Sequence, residues 1–172
     1  LSGNSGWGQW SSNIYETRID DLIAFDSSIF APANINQARI RGFEAILNSQ
    51  IEDWNFTTNF TLLDPENLSE GANNGNVLPR RAEESLRVDV GHQISKYTLG
   101  ATLFAEGKRY DDLANTRELS GYATLDLRAE YIFAQDWLLQ GRIENIFDKV
   151  YETAAYFNQP GRGLYVTLRY QP

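Results

Sequence analysis

Apolar residues recur at every second position through most of this chain. Successive side chains of a β-strand point to opposite faces of the sheet, so a period of two gives a strand one apolar and one polar face. The clearest case is the stretch 122–133, YATLDLRAEYIF. Its apolar positions are Ala123, Leu125, Leu127, Ala129, Tyr131 and Phe133, and its polar positions are Thr124, Asp126, Arg128 and Glu130. Helical spacing is not sustained anywhere, so the sequence predicts an all-β protein.

The same period predicts eight strands joined by links of two lengths. The predicted strands are 10–26, 37–50, 54–64, 80–94, 97–110, 119–134, 137–147 and 162–171. Short links at 51–53, 95–96 and 135–136 alternate with longer ones at 27–36, 65–79, 111–118 and 148–161. This alternation is typical of an antiparallel sheet with tight turns at one end and long loops at the other.

Large aromatic residues follow the tight turns. Trp54, Tyr97 and Trp137 come directly after short links, and Tyr170 reaches the same height in the last predicted strand. Aromatic rings with a polar tip are favoured where hydrocarbon meets lipid headgroups, so this arrangement indicates a membrane interface.

The two faces of the predicted strands then have different surroundings. Lipid-facing positions are Phe60, Leu99, Leu103, Leu125, Leu127, Leu139, Ile143 and Asn145, and positions facing a wet lumen are Asp126, Arg128, Glu130, Arg142 and Glu144. In lipid, only helices and closed barrels pair all of their backbone groups. The pattern therefore predicts an antiparallel transmembrane β-barrel of the bacterial outer membrane.

The composition describes a folded chain with few of the groups that catalysis uses. The 42% hydrophobic and 13% aromatic residues exceed what a disordered chain carries. With 23 acidic and 15 basic residues, the net charge of −8 is a poor match for nucleic acid or an anionic membrane surface. The absence of cysteine excludes disulfides, thiolate nucleophiles and thiolate zinc sites. No stretch approaches the roughly eighteen apolar residues of a transmembrane helix.

Several motifs, in order along the chain, resemble those of TonB-dependent outer-membrane receptors. RIENIFDKVYET at 142–153 and the following AAYFNQPGRGLYVTLRY are similar to the penultimate strand, last long loop and closing strand of that family. The resemblance continues through ARIRGFEAIL at 38–47, VLPRRAEESLRVDV at 77–90, GKRYDD at 107–112 and GYATLDLRAEYIF at 121–133. Within the family, these motifs together with DDLIAFD are most similar to the branch that takes up cobalamin (vitamin B12).

The resemblance implies a partial barrel. Family barrels have about 22 strands around a plug domain, so residues 1–172 are expected to supply the last eight strands, with the plug outside this chain. The strands 10–26 and 162–171 are then expected to be edges that pair with other parts of the barrel. The implied function is active uptake of cobalamin or another large chelate, energised through TonB by way of the plug. Outer-membrane lipid and lipopolysaccharide are the other expected partners, and no nucleic acid, cofactor or enzymatic activity is expected.

The expected substrate site lies on the long loops. Arg80 and Arg81 stand where the longest loop re-enters the barrel, and two roles stay open for them: contact with lipid phosphates or lumen carboxylates, and contact with the ligand. The resemblance to cobalamin receptors implies that Arg80 lies near the substrate and that Phe157 packs against the substrate. Tyr156, next to Phe157 in the chain, is the third expected substrate contact.

Two other candidate sites have weaker support. His92 has no organised nucleophile beside it in the sequence, so we expect an interfacial ring rather than a catalytic base. The loop 64–76 carries Asp64, Glu66 and Glu70, but it lacks the regular ligand spacing of a calcium loop. No metal site is predicted.

Three alternatives remain open from the sequence. The terminal motifs are shared with receptors for ferric siderophores, which leaves the substrate undecided. Eight strands can also close into a self-contained outer-membrane barrel with a structural or adhesive role. A soluble sugar-binding β-sandwich with one wet face would have a similar alternation.

Overall fold

The structure, a computed structural model, describes residues 1–26 and 29–172, except for the side chain of residue 36. It is all-β, and no helix in these ranges is long and apolar enough to cross a membrane. The strands are β1 (Ser2–Ser5), β2 (Gly8–Asp26), β3 (Ala31–Ile51), β4 (Trp54–Asn67), β5 (Glu84–Ile94), β6 (Tyr97–Glu106), β7 (Arg109–Tyr110), β8 (Glu118–Leu119), β9 (Tyr122–Ala134), β10 (Trp137–Glu144), β11 (Glu152–Ala154), β12 (Phe157–Asn158) and β13 (Gly163–Tyr170).

Nine of the described strands form one antiparallel sheet. Its order is β1-β2-β3-β4-β5-β6-β9-β10-β13, so neighbours in space are also neighbours in the chain apart from two short hairpins. These hairpins, β7–β8 and β11–β12, lie within the connections β6–β9 and β10–β13. The sheet is open, with β1 and β13 as its outermost described strands.

The three predicted tight turns are confirmed. β3 and β4 are joined by residues 52–53, β5 and β6 by 95–96, and β9 and β10 by 135–136. Glu52 and Ser95 have left-handed φ angles of 52° and 54°, as tight hairpin turns require. We call this edge of the sheet the turn end and the opposite edge the loop end.

The strand bounds differ from prediction mainly at the loop end. The predicted link 27–36 is wrong from residue 31 onward, because β3 begins at Ala31 and pairs with β2 as far as Asp26. Residues 27 and 28 of this link lie outside the described residues. β1 was not predicted, since SGNS has no apolar alternation. β1 pairs with the first residues of β2, so the prediction that the strand 10–26 is a free edge is wrong at the start of that strand. The last strand, β13, is outermost as predicted.

The register confirms the predicted grouping of residues by face. Leu103 lies opposite both Val88 and Leu125, and Leu127 lies opposite Ala101 and Ile143. We call this apolar side the outward face, and it leaves leucines such as Leu99, Leu103 and Leu139 exposed. The alternate positions form the polar inward face. A continuous exposed apolar sheet face is costly in water and favourable in lipid.

The inward face is covered at the loop end. A buried cluster of Ile35, Ala38, Leu78 and Leu113 joins the upper part of β3 to the two connections that follow β4 and β6. Loop segments thus fold inward over the sheet, and the small hydrophobic core lies where they pack.

Candidate functional site

Three connections meet at the loop end of the sheet. We call residues 68–83, 107–121 and 145–162 the loop layer. The carboxylate of Asp111 joins all three: its Oδ1 accepts hydrogen bonds from Nε of Arg80 at 2.7 Å and from the backbone N–H of Ala155 at 3.1 Å. Asp111 is only 1% exposed. A buried carboxylate bound by a guanidinium and a backbone amide fixes the relative positions of the segments that supply them.

Arg80 is held on several sides. Its backbone has a left-handed φ of 58°, and its N–H donates to the carbonyl of Tyr110 at 2.6 Å. Its guanidinium lies over the ring of Phe25, 4.5 Å from the centroid, at the upper end of β2. About a third of the side chain stays exposed. Arg80 therefore contacts a carboxylate, which is one of the two roles that the sequence allows for it. The exposed part of its guanidinium side chain stays accessible to solvent.

An asparagine fastens the first two segments of the layer to each other. The side-chain amide of Asn115 accepts a hydrogen bond from the N–H of Val77 at 2.8 Å and donates one to the carbonyl of Val77 at 2.9 Å. It thus forms the same pair of hydrogen bonds with Val77 that the backbone of a neighbouring strand would form. Asn76 donates to the carbonyl of Leu113 at 2.9 Å. Leu78 and Leu113 are buried beneath these bonds.

Asp112 shapes the tip of the second segment. Its carboxylate accepts from the hydroxyl of Thr116 at 2.6 Å and from the backbone N–H of Arg117 at 2.9 Å. Burial acts to raise the pKa of Asp112, but the hydrogen bonds from Thr116 and Arg117 outweigh it and hold that pKa below its ordinary value. The ionised carboxylate thus stabilises this turn.

The third segment starts from a buried asparagine, which corrects one expectation. Asn145 was placed with Ile143 on the lipid face, but β10 ends at Glu144 and Asn145 has a left-handed φ of 48° and is buried. It accepts the N–H of Lys149 and donates to the carbonyl of Lys149, both at 2.9 Å. Its own N–H donates to Asp126, so the turn is tied to the inward face of β9.

The predicted aromatic contacts lie on the hairpin β11–β12. Tyr156 is 77% exposed and lies in the turn of this hairpin, and Phe157 is 61% exposed and begins β12. The guanidinium of Arg117 lies 4.8 Å from the ring centroid of Tyr156. Because Ala155 is anchored on Asp111, the two exposed rings are presented on a fixed support.

The structure brings the three predicted substrate residues into one layer. Arg80 contacts Asp111, Asp111 holds Ala155, and Ala155 adjoins Tyr156 and Phe157. Arg81 is separate: it is partly buried, donates to the carbonyl of Pro79, and burial lowers its pKa. The sequence reasoning missed the organising role of Asp111. The signal available was the pair Asp111–Asp112 within the motif GKRYDD.

Below the loop layer, the inward face carries a compact polar cluster. Oε2 of Glu106 accepts from Nη2 of Arg109 at 2.6 Å and from the hydroxyl of Tyr122 at 2.5 Å. The ring of Tyr122 stacks on that of Tyr151 at 3.9 Å, which connects the third segment to the sheet. Burial raises the pKa of Tyr151, and nearby carboxylates act in the same direction.

The predicted interface aromatics line the turn end. Trp54 stacks on His92 with centroids 4.2 Å apart, Tyr97 stacks on Tyr131 at 4.6 Å, and Trp137 lies 4.9 Å from Tyr170. These rings lie on the outward face. His92 is part of this aromatic row through its stacking on Trp54.

Metal-ligating groups are not clustered in the part of the chain that the structure describes: it contains no set of three or more His, Asp or Glu able to hold an ion. Asp64 and Glu66 from the candidate calcium loop both lie against Arg39, and both belong to β4.

Comparison with known proteins gives consistent matches. The family profile described as "TonB dependent receptor-like, beta-barrel" matches residues 1–146. The chain is 29% identical over 178 residues to the vitamin B12 transporter BtuB of Photobacterium profundum, covering 99% of this chain and 29% of that protein. It is 31% identical over 138 residues to the "Probable TonB-dependent siderophore receptor PiuA" of Acinetobacter baumannii, covering 72% of this chain and 19% of that protein.

Solved structures match in fold. The crystal structure of the siderophore receptor PiuA from Acinetobacter baumannii superposes with a TM-score of 0.82 at 25% identity, covering 96% of this chain and 26% of that one. The ferric citrate transporter FecA in its unliganded form gives 0.84 at 15% identity, covering 98% and 30%. The chain thus spans less than a third of the length of each of these proteins.

Proposed function

Because this chain belongs to the TonB-dependent receptor β-barrel family of the bacterial outer membrane, we propose that it supplies wall and extracellular capture loops to a receptor for cobalamin or a related corrinoid. The sheet is the wall, its outward face contacts lipid, and the loop layer faces the exterior of the cell. Members of the family are receptors and transporters, and the proposed role includes no enzymatic step. In this proposal a plug domain carried by the rest of the protein connects the receptor to TonB.

The observation that carries the substrate proposal is the charge balance of the loop layer. The layer contains seven Lys or Arg residues and seven Asp or Glu residues, so its formal net charge is zero. Two of the ion pairs within it join Arg80 to Asp111 and Lys108 to Glu118. Ferric chelates with catechol or hydroxamate groups carry more negative charge than a corrinoid, and a site for them would be expected to direct several unpaired cations at the ligand. A loop layer without net positive charge favours a ligand close to neutral.

The exposed rings add a second argument. Tyr156 and Phe157 present apolar surface with one hydroxyl, and Arg80 retains exposed guanidinium surface beside them. A corrinoid is large, partly apolar and carries amides, so ring faces together with a donor match its surface. In this proposal Phe157 and Tyr156 contact the ring system, and Arg80 contacts an amide carbonyl.

The alternative substrate is a ferric siderophore. It is supported by the similarity to PiuA in both sequence and structure. The alternative of a self-contained eight-stranded barrel needs β2 to pair with β13, and these strands lie near opposite sides of the described sheet.

The test measures equilibrium binding of cyanocobalamin to the intact receptor with Phe157→Ala or Arg80→Ala. Each change is expected to weaken binding by about 1–3 kcal/mol, the usual effect of removing a central contact. Phe147→Ala is the matched control, since Phe147 is an exposed ring of the same segment outside the hairpin tip. Unchanged affinity in both variants would remove these residues from the site.

A further inference from the structure

Uncharged polar residues line up across four strands near the turn end of the inward face. Directly opposed residues, one from each of β1 to β4, form this row: Asn4, Gln9, Asn48 and Thr57. We call it the amide row. One step closer to the turn end, Gln50 and Asn55 lie opposite each other and add two further amides to the same face.

The amide row differs in charge from the continuation of the same face. The inward positions of β5, β9 and β10 include charged residues such as Arg87, Asp89, Arg128 and Arg142. The change occurs between β4 and β5, where Thr57 lies opposite Asp89. An uncharged polar surface gives a bound ion no counter-charge, so the amide row favours a neutral ligand with many hydrogen-bonding groups.

Most of these amides have free hydrogen-bonding groups. Oδ1 of Asn48 accepts a hydrogen bond from the hydroxyl of Thr57 at 3.0 Å. In the described part of the chain, four amide side chains form no hydrogen bond with another residue: Asn4, Gln9, Gln50 and Asn55. Each carboxamide has two donor hydrogens and one acceptor oxygen. The surface therefore presents donors and acceptors side by side.

A pocket lies over the amide row, and the turn between β1 and β2 forms part of its wall. Its volume is about 440 Å³, which is within the range of small-molecule sites. The turn approaches β3 so closely that a Cβ atom on Gly8 would lie 2.3 Å from the carbonyl oxygen of Asn48. The hydroxyl of Ser49 donates to the carbonyl of Trp7 and holds the turn there. Trp7 lines the pocket and is 53% exposed, so the pocket combines an aromatic ring with free amides.

We infer that this pocket binds an uncharged N-acetylated sugar of a periplasmic glycan. The hydroxyl and acetamido groups of such a sugar donate and accept hydrogen bonds, as the side-chain amides do. The C–H face of a sugar ring is apolar and can pack on the indole of Trp7. Short turns of outer-membrane barrels lie on the periplasmic side, so the pocket is at the periplasmic rim. The inference rests on this orientation of the barrel in the proposed function, and it does not depend on which ligand the loop layer captures.

An extended peptide is the other neutral ligand with many donors and acceptors. Peptides that bind to sheets pair along a strand edge, where the backbone groups of the strand are free. The pocket lies instead on the face of the sheet, over strands that already pair with each other. This face offers side-chain amides and a ring, which favours the sugar.

The test titrates N,N′,N″-triacetylchitotriose into the unmutated intact receptor in detergent and measures binding by calorimetry. Cellotriose is the comparison, because it has the same linkage but hydroxyl groups in place of the acetamido groups. We expect the acetylated trisaccharide to bind about tenfold more tightly, since its acetamido groups form additional hydrogen bonds. Absence of binding would overturn the inference, including the case in which another part of the protein fills the pocket. Equal binding of the two sugars would also overturn it.

Variants locate the site. Gln9→Ala combined with Asn55→Ala removes two free amides, and Trp7→Ala removes the ring. Each variant is expected to weaken binding of the acetylated sugar by about tenfold. Asn13→Ala is the matched control, since Asn13 is an amide on the same face of β2 outside the pocket. Unchanged affinity in both test variants, or an equal loss in the control, would contradict the assignment.

Two further measurements separate this inference from folding and from uptake. Migration of unheated samples in detergent gels checks that each barrel is folded, and the comparison of the two sugars needs no variant. Cyanocobalamin binding measured on the same samples tests the proposed uptake function. It should be unchanged in the pocket variants, because the loop layer lies at the opposite end of the sheet.

Discussion

Nε of Arg80 lies 2.7 Å from Oδ1 of Asp111, and this contact connects two loop segments that are 31 residues apart in the chain. The same oxygen accepts the amide of Ala155, which is 44 residues from Asp111. One acceptor on the second connection therefore binds donors from the first and the third. This contact also fixes the position of the exposed rings that follow Ala155.

Asp111→Ala should loosen the whole loop layer. The change leaves a guanidinium and a buried amide without their shared acceptor, which costs about 1–3 kcal/mol. Hydrogen exchange at the amides of Leu78 and Arg80 measures this cost, because their backbone acceptors remain in the variant. Glu118→Ala, which removes the exposed partner of Lys108, is the control and should leave this exchange unchanged. Unaltered protection in Asp111→Ala would mean that the layer does not depend on this carboxylate.

Acid should release the turn that Asp112 holds. The folded-state pKa of Asp112 lies below its ordinary value of 3.8, so its stabilising effect is fully present above pH 3.8 and is lost as the pH falls through the lower folded value. Amide exchange at Thr116 and Arg117, followed from neutral pH into that acid range and corrected for intrinsic rates, should show decreasing protection. In Asp112→Asn the dependence should disappear. A wild-type profile that stays flat would remove the ionised carboxylate from the account.

Local periodicity predicted the sheet better than it predicted the loop layer. The strand 54–64, the tight turns and the two faces follow from alternation, because each depends on neighbours in sequence. Asn145 continued the alternation of β10 and was assigned to lipid. The structure instead ends the strand there, because the side chain pairs with the backbone of Lys149. The role of Asp111 could not be predicted from its neighbours in sequence, because its partners Arg80 and Ala155 are 31 and 44 residues away in the chain.

Leu127 and Asp126 should report opposite environments. A spin label at Leu127 should contact lipid and one at Asp126 should contact water, because the two side chains lie on opposite faces of β9. Leu127→Arg should destabilise the barrel by about 2–4 kcal/mol if this position lies near the bilayer midplane. Unfolding in a bilayer measures the loss, and Thr124→Arg on the inward face is the control. Water at Leu127 together with lipid at Asp126 would contradict the assigned faces.

The most direct test of the proposed function is competition between ligands at the unmutated intact receptor. Cyanocobalamin is titrated into the purified protein, and a ferric catecholate siderophore is then added as competitor. Because the loop layer has no net positive charge, we expect saturable cyanocobalamin binding that the siderophore does not displace. Siderophore binding without any cyanocobalamin binding would contradict the assignment and would favour the ferric chelate.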